Sequence, residues 1–111
     1  MNTIELIKTY YSKRGLKYPD VWKSIAFSQT EVSEVYELLF SREGGFKRNH
    51  PENKPKFSKQ ELADELGDAI FMLIVAGIVE DVNPLEAMEN KINRKLHELG
   101  LLSQMGFGEE Q

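Results

Sequence analysis

The stretch KQELADELGDAIFMLIVAGIV, residues 59–79, decides the fold of this 111-residue chain. Its first half is acidic, and from Ala69 onward it is apolar on every side of a helix. A short helix that is apolar all round is typical of the centre of a helical bundle. The run from Ala69 to Val79 is too short to span a membrane, which needs about 20 residues. The stretch therefore predicts a central helix in an all-α protein with no membrane partner.

The sequence predicts four helices and no strand. Their expected bounds are residues 2–14, Val21 or Phe27 to Ser41, residue 59 to Glu80 after a capping box of Ser58 and Glu61, and Pro84 to Leu99 after an Asn83 cap. Gly15 and Gly100 are expected to end the first and fourth helices, and residues 43–57 to form a loop. The start of the second helix stays open, because VWKSIAFS can be part of it or a separate turn.

Short connections between the helices predict an antiparallel four-helix bundle. The chain is expected to be a single domain, residues 1–111, with 103–111 as a flexible tail. Because the third helix is apolar all round, four helices of one chain are not expected to cover it. Self-association into a homodimer or homotetramer is the predicted remedy. Trp22 and Phe27 are expected to pack in the core, with stacking on a base as the alternative.

Composition and charge exclude several classes of function. The chain carries 14 basic and 18 acidic residues and a net charge of -4, which argues against nucleic acid as a partner. It contains no cysteine, so thiolate metal sites, thiol catalysis and disulfides are excluded. The N-terminal sequence lacks the apolar core of a signal peptide, which favours a cytoplasmic protein.

Two pairs of carboxylates interrupt the apolar stripes of the second and third helices. Glu31 and Glu34 lie in FSQTEVSEVYELLF, residues 27–40, and Glu65 and Asp68 lie in the third helix. Positions three apart on a helix are separated by roughly 60°, so each pair shares a face. Acids on a core-facing stripe are unfavourable unless a cation compensates them. Oxygen ligands without Cys or a suitably placed His suit a hard cation, so the pattern predicts Mg²⁺, with Mn²⁺ as a substitute.

The fourth helix supplies basic residues in NKINRKLHE, residues 90–98. Lys91, Arg94 and Lys95 cluster on one side of this helix by their spacing. They lie in its C-terminal half, where the helix dipole favours cations, so a structural role is one interpretation. Binding of a polyphosphate next to a metal ion is the other interpretation for Lys91 and Arg94. For Lys95 the structural role is favoured.

Three segments resemble the all-α nucleoside triphosphate pyrophosphohydrolases of the MazG-like superfamily. The segments are EVSEVYEL, DELGDAIFML and PLEAMENKINR, at residues 31–38, 64–73 and 84–94. They match the family's order of a Glu-x-x-Glu helix, a loop of variable length, a Glu-x-x-Asp helix, and a helix bearing Lys and Arg. The resemblance extends from Phe27 to Lys95, which is most of the chain.

This resemblance implies Mg²⁺-dependent hydrolysis of (deoxy)nucleoside triphosphates to the monophosphate and pyrophosphate. Water activated by the metal would attack the α-phosphorus. The implied metal ligands are Glu31, Glu34, Glu65 and Asp68, and of these Glu34, Glu65 and Asp68 would be the catalytic residues. Lys91 and Arg94 would contact the substrate phosphates. The residue that accepts the proton from water remains open among Glu34, Glu37 and Glu61.

The chain also departs from the family's pattern. Lys95 stands where some pyrimidine-specific members carry Asn, and Ser41 stands where they carry an aromatic residue, so base specificity does not transfer. A phosphoribosyl-ATP pyrophosphohydrolase on a similar scaffold is one alternative, and a non-catalytic helical oligomerisation or regulatory module is another. A di-iron bundle is disfavoured, because neither His50 nor His97 has a Glu three residues before it.

Overall fold

The computed structural model describes residues 1–42 and 58–104, and every regular element in these residues is a helix. The helices are α1 (Thr3–Arg14), α2 (Val21–Arg42), α3 (Lys59–Val79) and α4 (Pro84–Gln104). The all-α prediction is therefore confirmed for the described part of the chain. The predicted loop at 43–57 lies outside the described residues, as does the predicted tail apart from residues 103 and 104, which belong to α4.

Each helix begins after a residue whose side-chain oxygen accepts a hydrogen bond from the backbone three residues later. These residues are Asn2, Asp20, Ser58 and Asn83. The Ser58 hydroxyl accepts the bond from Glu61 N at 3.1 Å, which confirms the predicted capping box. The Asp20 carboxylate accepts one from Lys23 N at 2.8 Å. The second helix therefore starts at Val21, and VWKSIAFS belongs to it.

A residue with a left-handed backbone conformation follows each of the helices α1 and α3. Gly15 has a φ of 62° and ends α1 as predicted. After α3, Asp81 has a φ of 55°, and it is one of the residue types that tolerate this conformation. Val82 N donates to Gly77 O at 2.8 Å and Asp81 N donates to Ile78 O at 3.2 Å. These two bonds form a Schellman motif, which turns the chain sharply into α4.

The predicted end of α4 is wrong. The helix does not stop near Leu99 but passes through Gly100 and continues to Gln104. A glycine inside a helix costs only about 1 kcal/mol relative to alanine. Gly100 therefore weakens the helix without ending it, and only a left-handed conformation, as at Gly15, would have made it a cap.

Helices α2 and α3 form an antiparallel hairpin, which is the most extensive helix contact among the described residues. Ser28, which is buried, donates its hydroxyl to the backbone oxygen of Ala69 at 3.2 Å. Helix α1 lies against α3, with its Tyr11 ring stacked on Phe71 at a centroid distance of 6.1 Å. The core lies between these helices and contains Ile7, Tyr11, Ile74 and Val75.

The described residues do not form a closed four-helix bundle. Helix α4 contacts α3 but has no contact with α1 or α2. Its apolar side chains Met88, Ile92, Leu96 and Leu99 are all about half exposed or more. On α3, Ile70 and Leu73 are also exposed, so the expectation that one chain leaves part of this helix uncovered is met.

The prediction that Trp22 and Phe27 pack in the core is wrong, since they are 83% and 51% exposed. The buried side of α2 is instead marked by Ser24 and Ser28. Trp22 precedes Ser24 by two residues and therefore lies on nearly the opposite side of the helix. None of the helices in the described ranges has the length and apolar character to cross a membrane.

Candidate metal centre

The hydrogen bond between Ser28 and Ala69 fixes which residues of α2 and α3 face each other. In an antiparallel pair, one turn forward on α2 lies opposite one turn backward on α3. Glu31 follows Ser28 by one turn, and Glu65 and Asp68 precede Ala69 on α3. Carboxylate oxygens of Glu31, Glu65 and Asp68 accordingly lie within 4.8 Å of one another. The hairpin thus brings together three of the four predicted metal ligands.

Glu34, the fourth predicted ligand, contacts Glu65 but is not part of this group of three. The acid pairs are predicted to lie on core-facing stripes, but only one acid of each pair is partly buried. Glu31 and Glu65 are half-buried, while Glu34 and Asp68 are exposed. The carboxylates therefore lie along one edge of the contact between α2 and α3, where an ion or a substrate has access from solvent.

Glu65 is the most perturbed acid of the cluster. Hydrogen bonding to Glu31 and then to Glu34 favours its protonated form, and partial desolvation and the neighbouring negative charges act in the same direction. Together they raise the pKa of Glu65 from 4.5 to about 7. Its Oε2 atom is screened from solvent, and no group in the described residues donates a hydrogen bond to it. When Glu65 is ionised, its Oε2 atom therefore has no hydrogen-bond partner among the described residues. Either a proton or a cation at this atom would satisfy it.

An acidic cleft of about 420 Å³ adjoins the cluster on the side of Glu34 and Glu65. The other residues that line it are Glu37, Leu38, Glu61 and Asp64, so none of its described lining residues is basic. Glu61 is engaged at the start of α3, where its carboxylate accepts a hydrogen bond from Ser58 N at 3.1 Å. Glu37 has no hydrogen-bond partner within the described ranges. Within these ranges, Glu37 is thus a cleft carboxylate with no hydrogen bond to give up, whereas Glu34 is hydrogen-bonded to Glu65.

A second cleft, of about 600 Å³, lies between α1 and α3 and reaches the cluster at Asp68. We call it the apolar cleft. The residues that line it are Thr3, Leu6, Ile7, Tyr10, Gly67, Asp68, Ile70, Phe71 and Ile74. Sequence reasoning missed this cleft, because the apolar spacing in α1 indicates that the helix packs but not which part of α3 it meets.

The predicted phosphate contacts Lys91 and Arg94 are not brought to the acids. Both are exposed on α4, and no residue of α4 lines either the acidic cleft or the apolar cleft. Helix α4 contacts α3 at its first turn, where Pro84 lies close to Gly77 and Leu85 packs against the core. Within the described part of one chain, the acid cluster therefore has no cationic partner.

The donor set fits a hard divalent cation. All three converging groups are carboxylates, the ligand type that Mg²⁺ and Mn²⁺ prefer. Mg²⁺ binds oxygen at about 2.1 Å, so opposite ligands stand about 4.2 Å apart. The carboxylate oxygens lie within 4.8 Å of one another, and small side-chain rotations would bring them to this spacing. The Oε2 atom of Glu65, which has no hydrogen-bond partner among the described residues, would be satisfied by such a cation or by a proton.

Three carboxylates beside two open clefts suit a reaction in which a cation and an anionic substrate meet. Such a site can hold one ion through protein oxygens, leave positions for substrate oxygens, and offer a nearby carboxylate as a proton acceptor. Comparisons of the chain with protein-family models, with curated proteins and with solved structures found no match. The functional proposal therefore depends on the site and on the three sequence segments described above.

Proposed function

We propose that this protein is an Mg²⁺-dependent pyrophosphohydrolase that acts on (deoxy)nucleoside triphosphates and releases the monophosphate and pyrophosphate. The observation that carries the proposal is the convergence of Glu31, Glu65 and Asp68 from two helices to within 4.8 Å. The resemblance of the three sequence segments to MazG-like enzymes adds the reaction class. Mn²⁺ is the expected substitute for Mg²⁺.

Each acid has a distinct task in this proposal. Glu31, Glu65 and Asp68 would hold the ion, and Glu34 would adjust the charge of Glu65, which it contacts. When bound, Mg²⁺ supplies neutralisation of phosphate charge and acidification of water. Glu34 or Glu37 takes the proton from the water that attacks the α-phosphorus. The bond from this phosphorus to the oxygen of the β-phosphate breaks, and pyrophosphate leaves.

The proposal also includes a cytoplasmic homo-oligomer that completes a MazG-like bundle. Its support is the apolar stripe of α4, in which Met88, Ile92 and Leu96 are at least half exposed. Burial of this stripe against a second copy would be favourable by the hydrophobic effect. Because Lys91 and Arg94 do not reach the acids within one chain, association is also the proposed route by which they meet the substrate phosphates.

The test is a turnover assay against a panel of ribonucleoside and deoxyribonucleoside triphosphates, with phosphoribosyl-ATP included to identify that alternative. Pyrophosphate release should depend on Mg²⁺ and be lost with a chelator. In heavy-oxygen water, attack at the α-phosphorus places the label in the monophosphate, whereas attack at the β-phosphorus places it in pyrophosphate. Label in pyrophosphate would contradict the proposed reaction.

Glu65→Gln and Asp68→Asn should lower turnover by at least about 100-fold, since each removes a charged ligand but keeps the side chain's shape. Glu80→Gln is the matched control, because Glu80 is an exposed acid at the end of α3 and lines neither cleft. A wild-type protein that binds Mg²⁺ but releases no pyrophosphate from any nucleotide would leave the non-catalytic helical module as the better interpretation.

A further inference from the structure

We infer that the apolar cleft between α1 and α3 binds the nucleobase of the substrate, while the acid cluster holds the metal and the phosphates. This inference rests on the proposed function for the identity of the ligand. Its starting point is that two clefts of opposite character meet at the same carboxylate cluster. Glu65 belongs to the acidic cleft and Asp68 to the apolar one, and their carboxylates share the group of three with Glu31.

The lining of the apolar cleft selects an uncharged, flat group. Among the described lining residues, Asp68, at the junction with the acid cluster, is the only carboxylate, and the others are mostly aliphatic or aromatic. Of the lining residues, Leu6, Tyr10 and Ile70 are 59%, 46% and 53% exposed in all. A ligand that covered these side chains would remove apolar surface from water, and the Tyr10 ring would offer a platform for a heterocycle.

The acidic cleft cannot take the same role. Glu37, Glu61 and Asp64 line it, so it favours cations and bound water over an apolar ring. A nucleotide likewise has one charged part and one uncharged part, because its triphosphate is joined through a single sugar to the base. A triphosphate held at the cluster therefore leaves its base within reach of either cleft, and the chemistry of the walls favours the one between α1 and α3. The volume of about 600 Å³ is in the range of small-molecule sites.

The structure also indicates which residues matter most. Tyr10 stands edge-to-face with Phe71 at a centroid distance of 6.4 Å, so the two rings form a corner of the cleft. The Arg14 guanidinium lies 5.6 Å from the centre of the Tyr10 ring and helps to hold it. Tyr10 is the better position for a test, because Phe71 also packs against the buried core and its removal would disturb the fold.

The experiment measures nucleoside binding and metal binding separately on the full chain. Nucleosides without phosphate are titrated in the absence of metal and followed by two-dimensional NMR, and Mn²⁺ is titrated alone and followed by electron paramagnetic resonance. Tyr10→Ala should weaken nucleoside binding at least about fivefold, the lower end of the effect of losing one base–aromatic stack. It should leave Mn²⁺ binding unchanged. Glu65→Gln should show the opposite pattern.

Two further variants separate stacking from general damage. Tyr10→Phe keeps the ring and should bind nucleosides like the wild type, and Tyr36→Ala removes an exposed tyrosine of α2 outside both clefts and should also have no effect. Equal nucleoside affinity of Tyr10→Ala and wild type would overturn the inference. So would protein-concentration-dependent shifts at the cleft without nucleoside, because they would show that a second copy fills it.

The proposed reaction and the proposed base site fail in different ways. Metal-dependent turnover without nucleoside-induced shifts at Leu6, Tyr10 or Ile70 would retain the reaction and place the base elsewhere. If nucleoside binding depends on Tyr10 but no triphosphate is turned over, the base site is supported and the enzymatic function is contradicted.

Discussion

Metal binding at the acid cluster should displace a proton, and the amount can be worked out from the environment of Glu65. Its pKa of about 7 means that this carboxyl is about 90% protonated at pH 6 and about 10% protonated at pH 8. A cation needs the ionised form, so binding at pH 6 should release about 0.9 protons and binding at pH 8 about 0.1. The apparent affinity should accordingly fall about tenfold from pH 8 to pH 6. A carboxyl at its ordinary pKa of 4.5 would give almost no change over this range.

Titration calorimetry with Mn²⁺ or Mg²⁺ in buffers of different ionisation enthalpy counts these protons directly. Glu34→Gln is an informative variant, because it removes a neighbouring charge that raises the pKa of Glu65. The variant should release fewer protons at pH 6, and its affinity should depend less on pH. Release of fewer than about 0.2 protons at pH 6 by the wild type, with equal affinity at pH 6 and pH 8, would refute this account of the cluster.

Two other predictions concern the turn after α3 and the exposed basic helix. Gly77→Ala should lower the free energy of unfolding by about 1–3 kcal/mol in urea titrations, because the new Cβ would lie 2.6 Å from Pro84 Cδ. Gly67→Ala in the same helix meets open space and should instead stabilise by about 1 kcal/mol, so equal effects would exclude the packing explanation. A refolded equimolar mixture of the inactive variants Glu65→Gln and Arg94→Gln should regain about a quarter of wild-type turnover if Arg94 acts in a neighbouring subunit, whereas no recovery would place it in the same chain.

The local features of the fold were predictable because each depends on a few adjacent residues. Ser58 and Glu61 form a capping box whatever the rest of the chain does, and their hydrogen bond is present. The spacing of Glu65 and Asp68 likewise fixes a shared side of α3. Sequence could not predict how far α4 continues past Gly100, since a glycine ends a helix only when tertiary structure favours its left-handed conformation.

Local sequence patterns could not predict which acids of α2 lie close to the acids of α3. Glu31 and Glu34 are equivalent in spacing and residue type, yet only Glu31 joins Glu65 and Asp68 within 4.8 Å. The difference comes from the register of α2 on α3, which the bond from Ser28 to Ala69 sets across 41 residues of sequence. Ser28 would have read as an ordinary polar residue in a helix, although it is buried and lies one turn before the first acid.

The same register explains why the acid cluster has no cationic partner among the described residues. Packing of α2 on α3 places Val35 and Val75 in buried positions and leaves the acids at the edge of the contact, where no Lys or Arg of the described residues reaches them. The basic residues of α4 lie away from the acids, since this helix contacts α3 but neither α1 nor α2 among the described residues. An uncompensated acid cluster costs free energy, which supports the proposal that this site binds a ligand. Of the ligands that would offset it, a divalent cation is the one that three carboxylates from two helices can hold together.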